Sequence, residues 1–308
     1  MTKPGIPNEL TLSTACYGPR LQAIDGQALS AAAMGFRRLE LGLNDYPSDL
    51  SGWEDCRREA GVTIESVVVG SLKPKGEAYS GSQLGSADAD LREMAINSTR
   101  RHIRVAQNLG AGVVVVRGCE VGSAKLDAES RVLSVELDES DADNLAAVQE
   151  KVAGFVAKVQ KRGQKQIEHL CRSLHALRNE FPETKIAIEP GLNFNDLLNF
   201  EAMQWVLDDL SGQGVGYWHD TSRVWQRGMA GLPGQGKWLE TFSNRMLGVH
   251  LQDATADEAD LPPGLGEVDF RMVGEYVSAD VPHVIEVHSK HGRAEVLASV
   301  QFLMGHGL

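Results

Sequence analysis

Lys185-Ile186-Ala187-Ile188-Glu189, Val215-Gly216-Tyr217-Trp218-His219-Asp220, Met246-Leu247-Gly248-Val249-His250 and His283-Val284-Ile285-Glu286 are four short apolar runs. Each ends in a side chain able to hold a metal ion. Glu189, Asp220, His250 and Glu286 are separated by 31, 30 and 36 residues, about the length of one strand-loop-helix-loop repeat. Polar residues at the same end of successive strands suggest a (β/α)8 TIM barrel, in which chemistry sits at the C-terminal ends of parallel strands. Two glutamates, an aspartate and a histidine form a hard, mostly oxygen donor set. It suits Mg2+ or Mn2+ first, with Zn2+ or Co2+ as alternatives.

Working outward, strands are expected over 9–15, 38–43, 63–69 and 113–117, the last a continuous β-branched run suited to burial on both faces. Helices are expected over 25–34, where Gly35 is the C-terminal cap, and over 90–109, ending at Gly110. Others are expected near 198–210, 237–243, 269–277 and 294–304. The loop 70–88, rich in Gly, Ser and Lys, lies on the expected active face. The rhythm breaks at 118–144, an acidic insertion after strand four, in which 131–137 alternates well enough for a hairpin strand. A helical arm over 145–180, with Gly163 as a break, is longer than one barrel helix needs and could contact a second copy in a homo-oligomer. No linker divides the chain, so residues 1–308 read as one domain.

A 308-residue chain carrying a net charge of −12 repels phosphate backbones, so no nucleic-acid partner is expected. A small diffusible substrate is the better expectation. No apolar run approaches the ~20 residues that span a bilayer, so no membrane partner is expected. The first residues lack the pattern of a secretory leader. Cys16, Cys56, Cys119 and Cys171 are scattered without metal-like spacing and read as reduced thiols. A cytoplasmic protein is the expectation.

Glu189 follows three apolar residues, and a carboxylate there cannot be buried alone. It either pairs with a basic residue or binds a cation, and the same two readings apply to Glu286. Of His219 and Asp220 only one can face the barrel axis, because neighbouring strand residues point to opposite faces; Asp220 is the one expected there. A metal-bound histidine at 250 needs an acceptor on its second nitrogen, for which Asp253 is a candidate, as it is for substrate contact. Glu40 lies near the end of strand two. His288 and Trp218 share the faces of Glu286 and Asp220, and Trp218 could wall a sugar ring. His219, His283 and His102 read as structural or exposed.

Several short signatures resemble the xylose-isomerase-like barrel superfamily of sugar isomerases and epimerases, inosose-processing enzymes and apurinic endonucleases. They are Ala106-Gln107-Asn108-Leu109-Gly110-Ala111, Ile188-Glu189-Pro190, Val249-His250-Leu251-Gln252-Asp253, Gly264-Leu265-Gly266-Glu267-Val268-Asp269-Phe270 and Val284-Ile285-Glu286-Val287. The resemblance implies that Glu189, Asp220, His250 and Glu286 bind one divalent cation. It also implies that Glu189 and Glu286 exchange protons with the substrate from opposite faces through an enediolate. Two features depart from the family. Arg223 stands where many members have a histidine, and the acidic insertion is unusual. Arg223, joined by Arg117 at the end of strand four, could grip a carboxylate or phosphate, or pair with a loop acid.

The expected activity is therefore a metal-dependent isomerase or epimerase of a small sugar, polyol or keto-sugar derivative. One alternative is a dehydratase (lyase) acting on a keto-sugar acid at the same metal. Another is a non-catalytic sugar-binding or assembly barrel. An apurinic endonuclease is disfavoured by the acidic charge and by the single convincing ligand histidine.

Overall fold

Strands buried on both faces must be covered by helices, and the chain meets that demand by closing its sheet. The computed structural model describes residues 5–44, 46–72 and 83–308, so the core of the loop expected over 70–88 lies outside the described residues. Strands β1 (Leu10–Ser13), β2 (Arg38–Leu41), β3 (Thr63–Val68), β4 (Val113–Arg117), β5 (Lys185–Glu189), β6 (Val215–Asp220), β7 (Met246–Leu251) and β8 (His283–Ile285) pair in chain order. All pairs are parallel, and β8 returns to β1 with Leu10 opposite His283, which closes an eight-stranded barrel. Each expected strand forms, trimmed by a residue or two where the chain turns into a loop.

Helices α1 (Ile24–Met34), α2 (Trp53–Ala60), α3 (Ala89–Leu109), α4 (Ala124–Asp138), α5 (Leu145–Arg162) and α6 (Gln164–Glu180) precede β5. After it come α7 (Phe200–Asp209), α8 (Thr221–Met229), α9 (Gln235–Phe242), α10 (Phe270–Tyr276) and α11 (Arg293–Met304). The caps show why these stretches start and stop where they do. Asp88 accepts from the backbone N–H of Asp90 and Leu91 to open α3, and Asn199 accepts from Ala202 N–H to open α7. Gly35 closes α1 at φ +112°, a left-handed conformation that disfavours a side chain.

The hairpin strand expected over 131–137 is not there. Ser123 caps a continuous helix, α4, whose buried stripe is Leu126, Ser130 and Leu133, while Val132 and Val135 are exposed. Spacings of four and three residues decide the period; the alternation seen in Val132 and Val135 falls on the solvent face. The acids of this segment are partly neutralised, because Lys158 reaches Glu129 at 2.5 Å and Lys151 reaches Glu136 at 2.7 Å from α5. The arm expected over 145–180 is two helices, with Gly163 between them. Helices α2 and α8 were not foreseen. The latter begins directly at the last residue of β6, with no loop to announce it.

Two apolar layers result. The larger lies between the sheet and the helices, and a small separate cluster of Val68, Val113, Val115, Ala187, Trp218 and Val284 fills the barrel interior. Gly248 makes room for the largest of these, since a Cβ there would fall 2.2 Å from the Trp218 ring. All four cysteines are unpaired. Among the described residues no helix is long and apolar enough to cross a membrane.

Buried His102 ties α3 to the end of β3. Its Nε2 accepts from Gly70 N–H at 2.9 Å and Leu72 N–H at 3.2 Å, and its Nδ1 faces Ser98 O at 2.8 Å. Burial holds the ring neutral, with its pKa pushed down to about 4 from the ordinary 6.5. The unfolded chain takes up this proton first, so the stability contributed by neutral His102 is fully present above pH 6.5 and is lost as pH falls toward 4. Urea unfolding should therefore show stability falling by up to roughly 3 kcal/mol more over that window in the wild type than in His102→Asn. Equal slopes would contradict this.

Candidate metal centre at the barrel mouth

Alternation along a strand puts every second side chain on the barrel axis. On β5 these are Ala187 and Glu189; on β6, Trp218 and Asp220. On β7 they are Gly248 and His250; around β8, Val284 and Glu286. In each pair the lower residue is small or apolar and belongs to the interior packing, while the upper is polar and reaches the C-terminal mouth. Glu40 of β2 and Arg117 of β4 complete the upper ring. The strand register sets Arg117 beside Glu189 and Asp220 beside His250.

The predicted donors meet there, buried. Ligand-capable atoms of Glu189, Asp220 and His250 lie within 4.8 Å of one another, as do those of Glu40, His250 and Glu286. The quartet expected from the sequence is thus spread over two overlapping triads that share His250, and Glu40 joins the second. Ser66 orients Glu40 by donating to its Oε2 at 2.8 Å, and Gln252 donates to Glu286 Oε2 at 2.9 Å. Asp220 Oδ1 also caps α8 by accepting from Arg223 N–H at 2.9 Å, which plants Arg223 in the first helical turn at the rim.

The two arginines enter the same space. Arg117 Nη2 lies 2.5 Å from Glu286 Oε2, and its Nε lies 2.7 Å from Glu189 Oε2. Arg223 Nη1 lies 3.2 Å from Glu189 Oε1 and its Nε 3.4 Å from Asp220 Oδ2. Of the two alternatives weighed for Glu189, the basic partner is present twice over, and two of the other expected donors, Asp220 and His250, lie close to the same carboxylate. Apart from the Arg117–Glu286 hydrogen bond, the ion pairs are close but poorly aligned: Arg117 Nε, Glu189 Oε2, Arg223 Nε and Asp220 Oδ2 are all buried without a hydrogen bond among the described residues. His250 is strained in the same sense. Its Nδ1 stands 2.9 Å from both Glu189 Oε1 and the indole nitrogen of Trp218. An indole N–H only donates, so no single protonation state of the ring satisfies both neighbours.

The electrostatics follow from burial and company. Burial opposes ionisation of Glu189 and Glu286, but the adjacent guanidiniums outweigh it and hold both carboxyls below their usual range. Asp220 has less help. Burial, with Glu189 close by, pushes it up to about 7 against the pull of Arg223. The imidazole of His250 resists charge because it is buried, yet Glu40, Glu286 and Glu189 raise it to about 10.

This donor set fits a divalent cation. Four carboxylates (Glu40, Glu189, Asp220, Glu286) face two guanidiniums (Arg117, Arg223) and the His250 imidazole, so the carboxylates outnumber the cationic groups by one even with the imidazole charged. Two buried carboxylate oxygens, Glu189 Oε2 and Asp220 Oδ2, lack hydrogen bonds. Metal uptake at such a site releases protons from its ligands.

The remaining expected residues fall elsewhere. Asp253 does not serve His250: its Oδ1 accepts from the N–H of Ala254 and Val268, both at 3.0 Å, and its Oδ2 accepts from Gly264 N–H at 2.8 Å. It anchors the glycine loop that leads to α10. Trp218 is a floor under the site, fully buried against His250 with ring centroids 5.0 Å apart. His288 is exposed on the rim, its Nδ1 accepting from Lys290 N–H. His219 points out of the barrel to Tyr217 and Gln235. Ser66 and Gln252 were missed by the sequence reading. Period two from His250 points to Gln252 and not to Asp253, and that signal was available.

Residues 29–303 match the xylose isomerase-like TIM barrel family. No curated protein matches the chain by sequence. Among solved structures, a D-tagatose 3-epimerase-like protein is similar at a TM-score of 0.67 and 16% identity, with 96% of each chain covered. The IOLI protein with a bound zinc atom is similar at 0.64 and 13% identity, with 97% of each chain covered. A fusion of a xylose isomerase-like barrel with 4-hydroxyphenylpyruvate dioxygenase is similar at 0.64 and 12% identity; 97% of this chain spans only 43% of it. At these identities the likeness to solved structures is one of fold. The closed eight-stranded parallel sheet and the family match over most of the sequence agree: this chain belongs to the xylose isomerase-like TIM barrel family.

Proposed function

We propose that the chain is a divalent-cation-dependent isomerase or epimerase of a small sugar, polyol or keto-sugar derivative. One observation carries the proposal: buried carboxylates and an imidazole from separate strands gather within 4.8 Å of one another in two overlapping groups at the mouth of the barrel. Glu189, Asp220, His250 and Glu286 would hold the cation, with Glu40 beside them. A cation bound there supplies a Lewis acid for a substrate carbonyl and its neighbouring hydroxyl. Mg2+ or Mn2+ suits the oxygen-rich set, and Zn2+ and Co2+ are compatible with it; the zinc bound to the IOLI protein supports that breadth.

The chain's own residues supply the remaining chemistry. One of Glu189 and Glu286, as carboxylate, takes the proton from the carbon next to the carbonyl, and the other, having first taken a proton from solvent, delivers it to that carbon from the opposite face. Trp218 and the apolar cluster beneath it close the bottom of the pocket to water. Ser66 and Gln252 fix the carboxylates of Glu40 and Glu286. Arg223, whose Nε makes no hydrogen bond among the described residues, would hold a carboxylate or phosphate substituent, with Arg117 as its partner.

The test is proton exchange. The Mn2+-loaded protein is incubated in heavy water with neutral ketoses, sugar acids and sugar phosphates, and products are read by NMR. Deuterium at the carbon beside the carbonyl, with inversion or carbonyl migration, is the expected result. An unsaturated product would instead indicate dehydration, and no exchange with any compound of the panel would contradict catalysis.

A further inference from the structure

We infer that Arg117 is a tethered cation inside the candidate metal centre: its guanidinium competes with a divalent ion for Glu189 and Glu286 and so sets how tightly that ion is held. The inference rests on the metal centre proposed above. One guanidinium reaches three of the four proposed donors. Its Nη2 lies 2.5 Å from Glu286 Oε2 and 3.2 and 3.4 Å from the two ring nitrogens of His250, and its Nε lies 2.7 Å from Glu189 Oε2. Arg223 is confined to the other side, against Glu189 and Asp220.

The position is dictated by the barrel. Arg117 ends β4 opposite Glu189 on β5, so its side chain rises on the axis and has to cross the donor ring. With 11% of its side chain exposed, it borders the open mouth, and its long stem allows the head group to withdraw. A guanidinium and a divalent ion cannot both sit against the same carboxylates without repulsion, which is strong where water is excluded. The arginine therefore stabilises the cation-free ring, whose carboxylates would otherwise be buried uncompensated, and weakens ion binding by the same interaction.

The full chain is titrated calorimetrically with MnCl2 as wild type, Arg117→Met and Arg117→Lys. Arg117→Met should bind one Mn2+ about tenfold more tightly or better, and Arg117→Lys, which keeps the charge, should stay close to wild type. Arg117→Met without metal is expected to melt at a lower temperature; should it not fold unaided, the Mn2+ concentration that restores folding reads the same affinity. Binding by Arg117→Met alone, with none measurable in the wild type, would support competition in its strongest form. Binding by the wild type with no gain in Arg117→Met would overturn the inference and leave the metal centre standing. Absence of Mn2+ binding in all three proteins would overturn both.

Discussion

Glu189→Gln is expected to cut substrate deuterium exchange by about a thousandfold, within the range that positioned acid–base groups contribute. The amide keeps the shape of the side chain and can still accept a hydrogen bond, but it cannot take up a proton or carry the charge a cation needs. Glu286→Gln should behave alike, because both carboxylates sit at the same height on their strands and both are held ionised by Arg117. The variants should differ in stability. Glu189 lies against two guanidiniums and Glu286 against one, so the first loses more compensation and should melt lower. Circular dichroism separates loss of fold from loss of chemistry. Full exchange in both folded variants would eliminate the two-carboxylate proton path.

His250→Ala is expected to weaken Mn2+ binding by about a hundredfold or more, since changes in the shell around a metal ligand already cost ten- to a hundredfold. His250 is the residue common to both donor triads, so its removal injures the centre whichever triad holds the ion. The indole N–H of Trp218, now directed at Nδ1, would also lose its acceptor. Asp220→Ala should weaken the ion less specifically, because Asp220 also caps α8 and its loss frays the helix that carries Arg223. Calorimetric titration with MnCl2 checks the first claim; unchanged affinity in His250→Ala would show that the ion, if bound, sits elsewhere.

The barrel was legible because a closed parallel sheet makes strict demands on sequence. Its strands are buried on both faces, so they appear as short apolar runs such as Val113 to Arg117 and Lys185 to Glu189, each ending where a polar residue reaches the mouth. The spacing of Glu189, Asp220 and His250 reflects the length of one repeat, and that alone placed them at a common height. What was hidden depended on partners far away in the chain. Nothing near Arg117 indicates that its head group lies between Glu189 and Glu286, since that follows from barrel closure. Asp253 looked like a partner for His250 because it follows closely in sequence, but the strand ends at Leu251 and the chain turns, so its carboxylate serves the glycine loop. Residues 131–137, the second half of α4, read as a hairpin strand because apolar residues occur on both faces of that helix; the buried stripe shows only when the spacing is followed back through Ser130 to Leu126.

Anomalous diffraction from crystals grown with Mn2+ tests the donor geometry most directly. One manganese within bonding reach of Glu189, Asp220, His250 and Glu286, with the Arg117 guanidinium withdrawn from the carboxylates, is the expected result. Crystals with no manganese at the mouth of the barrel, and with Arg117 still lodged between Glu189 and Glu286 at saturating metal, would contradict it.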